Sequence, residues 1–265
     1  MKKILLFGCL LLCSVEARTW LRGQEVSDPA PWNRFILEAV EKMPAKGVYQ
    51  ANAAAIDGLG RAIVTEQGRI KLRPELAKPN FCSTATYLVF LDALNRWAEM
   101  EKKDLPLEIL EAMKVRRQPD GVGVWGCWNA NGPGTARLFY LLGMGENFSD
   151  IEEAKPGDFL KVFWNEHIGS KERGHSVVYL GRERDESGQE FVIYWSSNQP
   201  DGFGTARIPM TRIKRMLFSR LTNPGAILNG KAVGLKDEYL AQMLKRPGSA
   251  EEMAEKTGEG KKRKD

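Results

Sequence analysis

Residues 82–103 read CSTATYLVFLDALNRWAEMEKK. Pro79 and Asn80 stop whatever precedes, and Leu88, Leu91, Leu94 and Ala98 then recur at a spacing of three to four, which predicts a helix with one apolar stripe. Cys82 falls in its first turn. Upstream, residues 31–43 (PWNRFILEAVEKM) place Phe35, Ile36, Val40 and Met43 at helical spacing after Pro31. Residues 61–73 (RAIVTEQGRIKLR) hold two short alternating runs around Gln67-Gly68 and predict a hairpin.

Downstream of the helix lies a Gly-rich stretch, 120–145, in which Pro133 opens a second helix carrying Leu138, Tyr140 and Leu141. Beyond Gly145 the pattern changes to strands. DFLKVFW (158–164) follows the turn Lys155-Pro156-Gly157, and HSVVYLG (175–181) and FVIYWSS (191–197) are β-branched and apolar around the turn Asp185 to Gly188. KRMLFSRL (214–221) reads as one more strand. Helices first and strands afterwards, without βαβ alternation, predict an α+β fold: a helix carrying Cys82 packed on an antiparallel sheet.

The chain has 265 residues, 43% of them hydrophobic, enough to bury a real core, so a disordered chain is excluded. Its net charge of +5 points at first to an anionic partner. Three of those charges fall on residues 256–265 and one on residues 1–17, leaving about one on the body, so a nucleic-acid-binding surface is not expected. Lys2 and Lys3 ahead of ILLFGCLLLCSV, with Val15-Glu16-Ala17 after it, predict a secretory signal over 1–17, too short to span a bilayer. A lipid-anchored cysteine near that segment is the alternative. Residues 18–245 are read as a single domain and 246–265 as a disordered basic tail. The expected protein is therefore secreted or periplasmic, monomeric and without a membrane span.

Four cysteines and two histidines exclude a disulfide scaffold and a multi-cysteine zinc site, and no metal or cofactor is expected. No GxxxxGK, HExxH or GxSxG sequence occurs. The chemistry rests on Cys82, since the first turn of a helix favours a thiolate. It needs an imidazole, and His175 at the start of a strand holds geometry better than His167 in the polar loop NEHIGSKERG. If the 175–181 and 191–197 strands pair about a turn centred between Glu186 and Ser187, position 198 faces His175, and that residue is Asn198. Ser197, Gln199 or, through a bulge, Ser196 are the alternatives. Such an acceptor fixes the imidazole in one tautomer. Against this stand a core role for Cys82, or its pairing with Cys127 in an oxidising compartment. WGCWNANGPG (125–134), with Trp128 and Asn131, reads either as a wall of a sugar or peptide groove or as a tight loop packing Trp125 and Trp128 into the core. Asn147-Phe148-Ser149 fits a glycosylation sequon, which is discounted.

In order, NFCSTATYLVFL (80–91), KPGDFLKVFW (155–164), GHSVVYLG (174–181) and YWSSNQ (194–199) resemble the NlpC/P60 superfamily of papain-like cysteine peptidases and amidases. Pro156, Gly157 and Asp158 match the family's turn before its first barrel strand, and His175 with Val177, Val178, Tyr179 and Gly181 matches the next. The nucleophile context departs from the family's Asp-Cys-Ser-Gly, being Phe81-Cys82-Ser83-Thr84. The resemblance covers about residues 79–200. It implies a papain-like fold, hydrolysis of peptidoglycan peptide amides through a Cys82 thioester with His175 as acid and base, a third residue at Asn198 or its neighbours, and Tyr49 lining the cleft. A non-catalytic wall-binding protein on the same fold, or an acyl or amide transferase, would share these features.

Overall fold

The computed structural model describes residues 28–261; the predicted signal segment and the last four residues lie outside them. In chain order the elements are α1 (Asn33–Lys42), α2 (Ala53–Ala62), the hairpin strands β1 (Ile63–Glu66) and β2 (Arg69–Leu72), α3 (Cys82–Met100), α4 (Leu107–Ala112), α5 (Gly123–Asn129) and α6 (Gly134–Leu142). Then come β3 (Gly145–Phe148), β4 (Phe159–Phe163), β5 (Ile168–Gly169), β6 (Gly174–Arg184), β7 (Glu190–Asn198), β8 (Gly202–Pro209), β9 (Arg215–Leu221), α7 (Glu238–Gln242), β10 (Pro247–Gly248) and α8 (Ala250–Thr257). The mixed α+β class with antiparallel sheets follows the reading of the sequence.

Six strands form the main sheet in the order β3-β9-β4-β6-β7-β8, every neighbouring pair antiparallel. Period-two alternation divides its side chains. Phe159, Val178 and Trp195 face α3 and join its core, whereas Leu160, Val162, Val177, Tyr179, Val192 and Tyr194 form a second apolar cluster on the other face. α3 is buried nearly all round, with Leu88, Val89, Phe90, Leu91 and Leu94 fully covered, so the predicted single stripe understates it. α1 and α5 both pack against α3. Trp128 of α5 stacks on Phe90 with ring centroids 4.7 Å apart.

β4 starts at an anchored turn. Asp158 is fully buried and accepts Arg220 Nε at 2.9 Å and Nη2 at 2.7 Å, Asn33 Nδ2 at 2.8 Å and the Lys155 backbone N–H at 2.8 Å. Gly157 has φ of 92°, and a Cβ there would meet Asn33, so only glycine passes. The Pro-Gly-Asp turn is thus a structural clamp that fixes the register of the strand leading to the site.

Two expectations are corrected. Residues 246–261 are not a disordered tail: β10 pairs with β5, and α8 buries Met253 and Thr257. Its signals are ordinary ones, Ser249 capping the Glu252 N–H at 3.1 Å and Gly258 closing the helix in the left-handed region at φ 61°. The stretch read as a groove wall or a tight loop begins within helix α5 (Gly123–Asn129), because Trp125, Cys127 and Trp128 gain more from burial than the glycines lose. Asn147 of the sequon is buried and donates to the Ala136 and Thr257 carbonyls, which leaves no room for a glycan there. Among the described residues no helix is long and apolar enough to cross a membrane.

Candidate active site

Cys82 begins α3 because Phe81 is still extended and Thr84 reaches back to the Phe81 backbone, accepting its N–H at 2.9 Å and donating to its carbonyl at 2.7 Å. His175 lies near the start of β6 and Asn198 ends β7. Asn198 Oδ1 is 3.1 Å from His175 Nε2, and its amide nitrogen donates to the Gly204 carbonyl at 2.8 Å, which fixes the oxygen toward the ring. An amide oxygen only accepts, so Nε2 carries the proton and Nδ1 is the ring nitrogen left to take a proton from the Cys82 thiol. The ring sits between Trp164, at 6.3 Å, and the Tyr194 ring, edge-on at 5.7 Å.

The register that joins them is the expected one, reached by a different path. The hairpin pairs Arg184 with Glu190, a turn centred half a residue further along than predicted, and a bulge between Tyr179 and Gly181 takes that half-step back. Val178 and Tyr179 face Trp195 and Tyr194, and the same register carries His175 to Asn198. The neighbouring alternatives have other partners. Ser197 donates to Asn80, Ser196 to the Ser176 carbonyl at 2.7 Å, and Gln199 is exposed.

The electrostatics favour an ion pair. Burial pushes the Cys82 thiol up, but the His175 hydrogen bond and charge, a backbone N–H from Ser176 and the charge of Lys161 outweigh it and bring the thiol down to about 6. Burial pushes His175 down, and the hydrogen bond and charge of the thiolate with the Asn198 amide raise it above its ordinary value. Burial, followed by the charge of the Cys82 thiolate and a hydrogen bond with it, holds the Tyr49 phenol well above its usual range. Cys127 contrasts with Cys82: both are free thiols, but burial pushes Cys127 up to about 12, the state of an inert core cysteine. His167 is exposed in the loop between β4 and β5.

Cys82 opens onto a cleft of about 650 Å³. Tyr49, Ala51, Ile56, Asn131, Trp164 and Leu244 are among its lining residues. Tyr49 is carried there by a segment stitched to both ends of the site, its N–H donating to the Pro200 carbonyl at 3.1 Å and the Gln50 N–H to the Asn80 carbonyl at 2.9 Å. Trp128 borders the cleft but is almost wholly buried, and its indole N–H reaches the Ser83 carbonyl and Thr86 hydroxyl, each at 3.2 Å. It supports the first turn of α3 from beneath, so the core-packing reading holds for both tryptophans. Asn131 lines the wall and donates to the Gly169 carbonyl at 3.3 Å.

Three charged groups in the cleft escaped the reading of the sequence. Lys161 pairs with Glu172 at 2.6 Å, and the nearly buried Glu172 also accepts the Gly132 and Gly169 N–H groups at 2.7 and 2.9 Å. Asp120 also lines the cleft, and burial raises its carboxyl. Lys161 carried a usable signal, since alternation in DFLKVFW puts it on the apolar, helix-facing side with Phe159 and Phe163. Glu172 and Asp120 lie in loops with no periodicity to mark them. Among the described residues no group of His, Cys, Asp and Glu side chains is arranged to hold a metal ion. No family model, no curated protein and no solved structure matches this chain.

Proposed function

We propose that this protein is a cysteine peptidase or amidase of the papain-like NlpC/P60 kind, hydrolysing amide bonds of peptidoglycan peptides outside the cytoplasm. One observation carries the proposal: Cys82 begins a helix and lines a cleft, its thiol is drawn down by His175, and Asn198 Oδ1 stands 3.1 Å from His175 Nε2. The thiolate attacks the scissile carbonyl carbon. The oxyanion that forms lies at the first turn of α3, whose leading N–H groups have no carbonyl one turn below to bond. The imidazolium donates its proton to the leaving amine, and the thioester is then hydrolysed by a water that the neutral imidazole deprotonates. The cell-wall substrate is supported by the family resemblance and the predicted export signal.

Cys82→Ala and Cys82→Ser decide the matter on purified peptidoglycan and on short peptides cut from it. The wild type is expected to liberate new amino groups and both variants to fall to the background rate. Equal release by either variant would overturn the proposal. An added amine acceptor in the same digest separates hydrolysis from transfer.

A further inference from the structure

The relay depends on how α3 sits against the sheet, and most of that contact is apolar packing, which resists separation but is weakly directional. A sub-ångström slide of the helix would move the sulfur off the imidazole. Directional ties at the helix start are therefore decisive. One lies at Thr86, whose hydroxyl is 3.2 Å from that of Ser176. The other is fully buried and closer to the reacting groups: Ser197, immediately before Asn198, donates its hydroxyl to Asn80 Oδ1, two residues before Cys82.

Asn80 is itself held on every side. Its amide nitrogen donates to the Ala77 carbonyl at 2.9 Å, its N–H to the Val48 carbonyl at 2.9 Å, and its carbonyl accepts the Gln50 N–H. The Tyr49 segment passes so close that a Cβ on Gly47 would stand 2.9 Å from the Asn80 amide, at a φ of 137°. The Ser197–Asn80 hydrogen bond thus joins the nucleophile turn to the strand end that orients the imidazole, and backbone bonds at Asn80 tie the Tyr49 segment to the same turn. Buried away from water, it has no solvent substitute.

We infer that Ser197 and Asn80 are positioning residues that set the thiol–imidazole geometry of this site. The inference rests on the proposed function for its consequence in turnover, though its chemistry is readable without any substrate. Losing the Ser197 hydroxyl frees α3 to move its first turn relative to β7, so the thiolate loses its imidazolium partner before the fold is lost.

The test is the pH dependence of Cys82 alkylation by iodoacetamide, followed by mass spectrometry on the peptide that contains Cys82, alongside peptide hydrolysis. Wild type is expected to inflect near pH 6. Ser197→Ala is expected to inflect about one unit higher and to lose about tenfold in kcat with little change in KM. Ser197→Thr, which keeps the hydroxyl, restores the wild-type inflection. Val192→Ala, buried on the same strand but in the opposite cluster, melts earlier yet keeps the inflection. If Ser197→Ala does not fold, Asn80→Ala/Ser197→Ala removes both side chains of the tie, leaving no unpaired hydroxyl or amide of the pair and only the Ala77 carbonyl without its Asn80 donor, and is expected to show the same upward shift. A wild-type inflection in a folded Ser197→Ala or double variant overturns the inference. If wild type hydrolyses no peptide while the alkylation profiles separate as described, the proposed function fails and the positioning role stands.

Discussion

Asn198 gives His175 an acceptor and nothing else. It stays uncharged at every working pH, so it orients the ring without drawing the proton away from it. Its own amide nitrogen is tied to Gly204, which means that the amide does not flip. A hydrogen bond to a charged group contributes about 1.5–3 kcal/mol. Asn198→Ala is accordingly expected to lower kcat by roughly 10- to 100-fold with KM nearly unchanged, measured on the peptide substrate. An unchanged kcat would mean that Trp164 and Tyr194 alone hold the ring. Both His175 and Asn198 were legible in the sequence, because strand pairing converts a turn position into a facing residue. Lys161 was half legible and Glu172 not at all, since a loop carboxylate acquires its meaning only from the groups the fold brings to it.

At the scale of elements, the start of β4 governs the register of β6 and hence the place of His175. That start depends on the buried Asp158 and its two-point contact with Arg220, of which Arg220 is only slightly exposed. Removing one member leaves the other charged and without its main partner, which costs about 3–5 kcal/mol for a buried pair. Asp158→Ala should unfold at correspondingly lower urea concentration, Arg220 then keeping only Glu146 and the Glu153 carbonyl, and Arg220→Leu similarly, Asp158 then keeping only the Asn33 amide and the Lys155 N–H. A shift below about 1 kcal/mol would assign the clamp to its backbone alone. β4, β6, β7 and β9, the first hairpin, α1, α3 and α6 were legible because each carries its own periodicity or turn. α5 was not, because a seven-residue helix with two glycines, five of its residues buried, owes its conformation to packing rather than to local preference.

At the scale of the molecule, the C-terminal segment completes the fold behind the cleft. Met253 sits in the same cluster as Phe163 and Ile168, Arg137 reaches the Lys256 carbonyl at 2.6 Å, and Asn147 reaches that of Thr257 at 2.8 Å. The basic run at 261–264 dominates the composition there and conceals a complete helix punctuation, Ser249 to Glu252 at one end and Gly258 at the other. Ending the chain at residue 248 should cost on the order of 3 kcal/mol, from one buried methionine and two lost carbonyl partners, read as an earlier thermal melt. An unchanged melt would return the segment to the status of an appendage.

The bulge at Leu180 divides the long hairpin into two halves with independent pairing. Everything beyond it, from Gly181 round to Ile193, obeys the geometry of the turn, while the inner half obeys the sheet. Loop length at residues 185–189 is therefore insulated from the chemistry: added or deleted residues there change the reach of an exposed tip without transmitting a slip to the imidazole. That tip is where this protein has room to diversify, or to carry a grafted label.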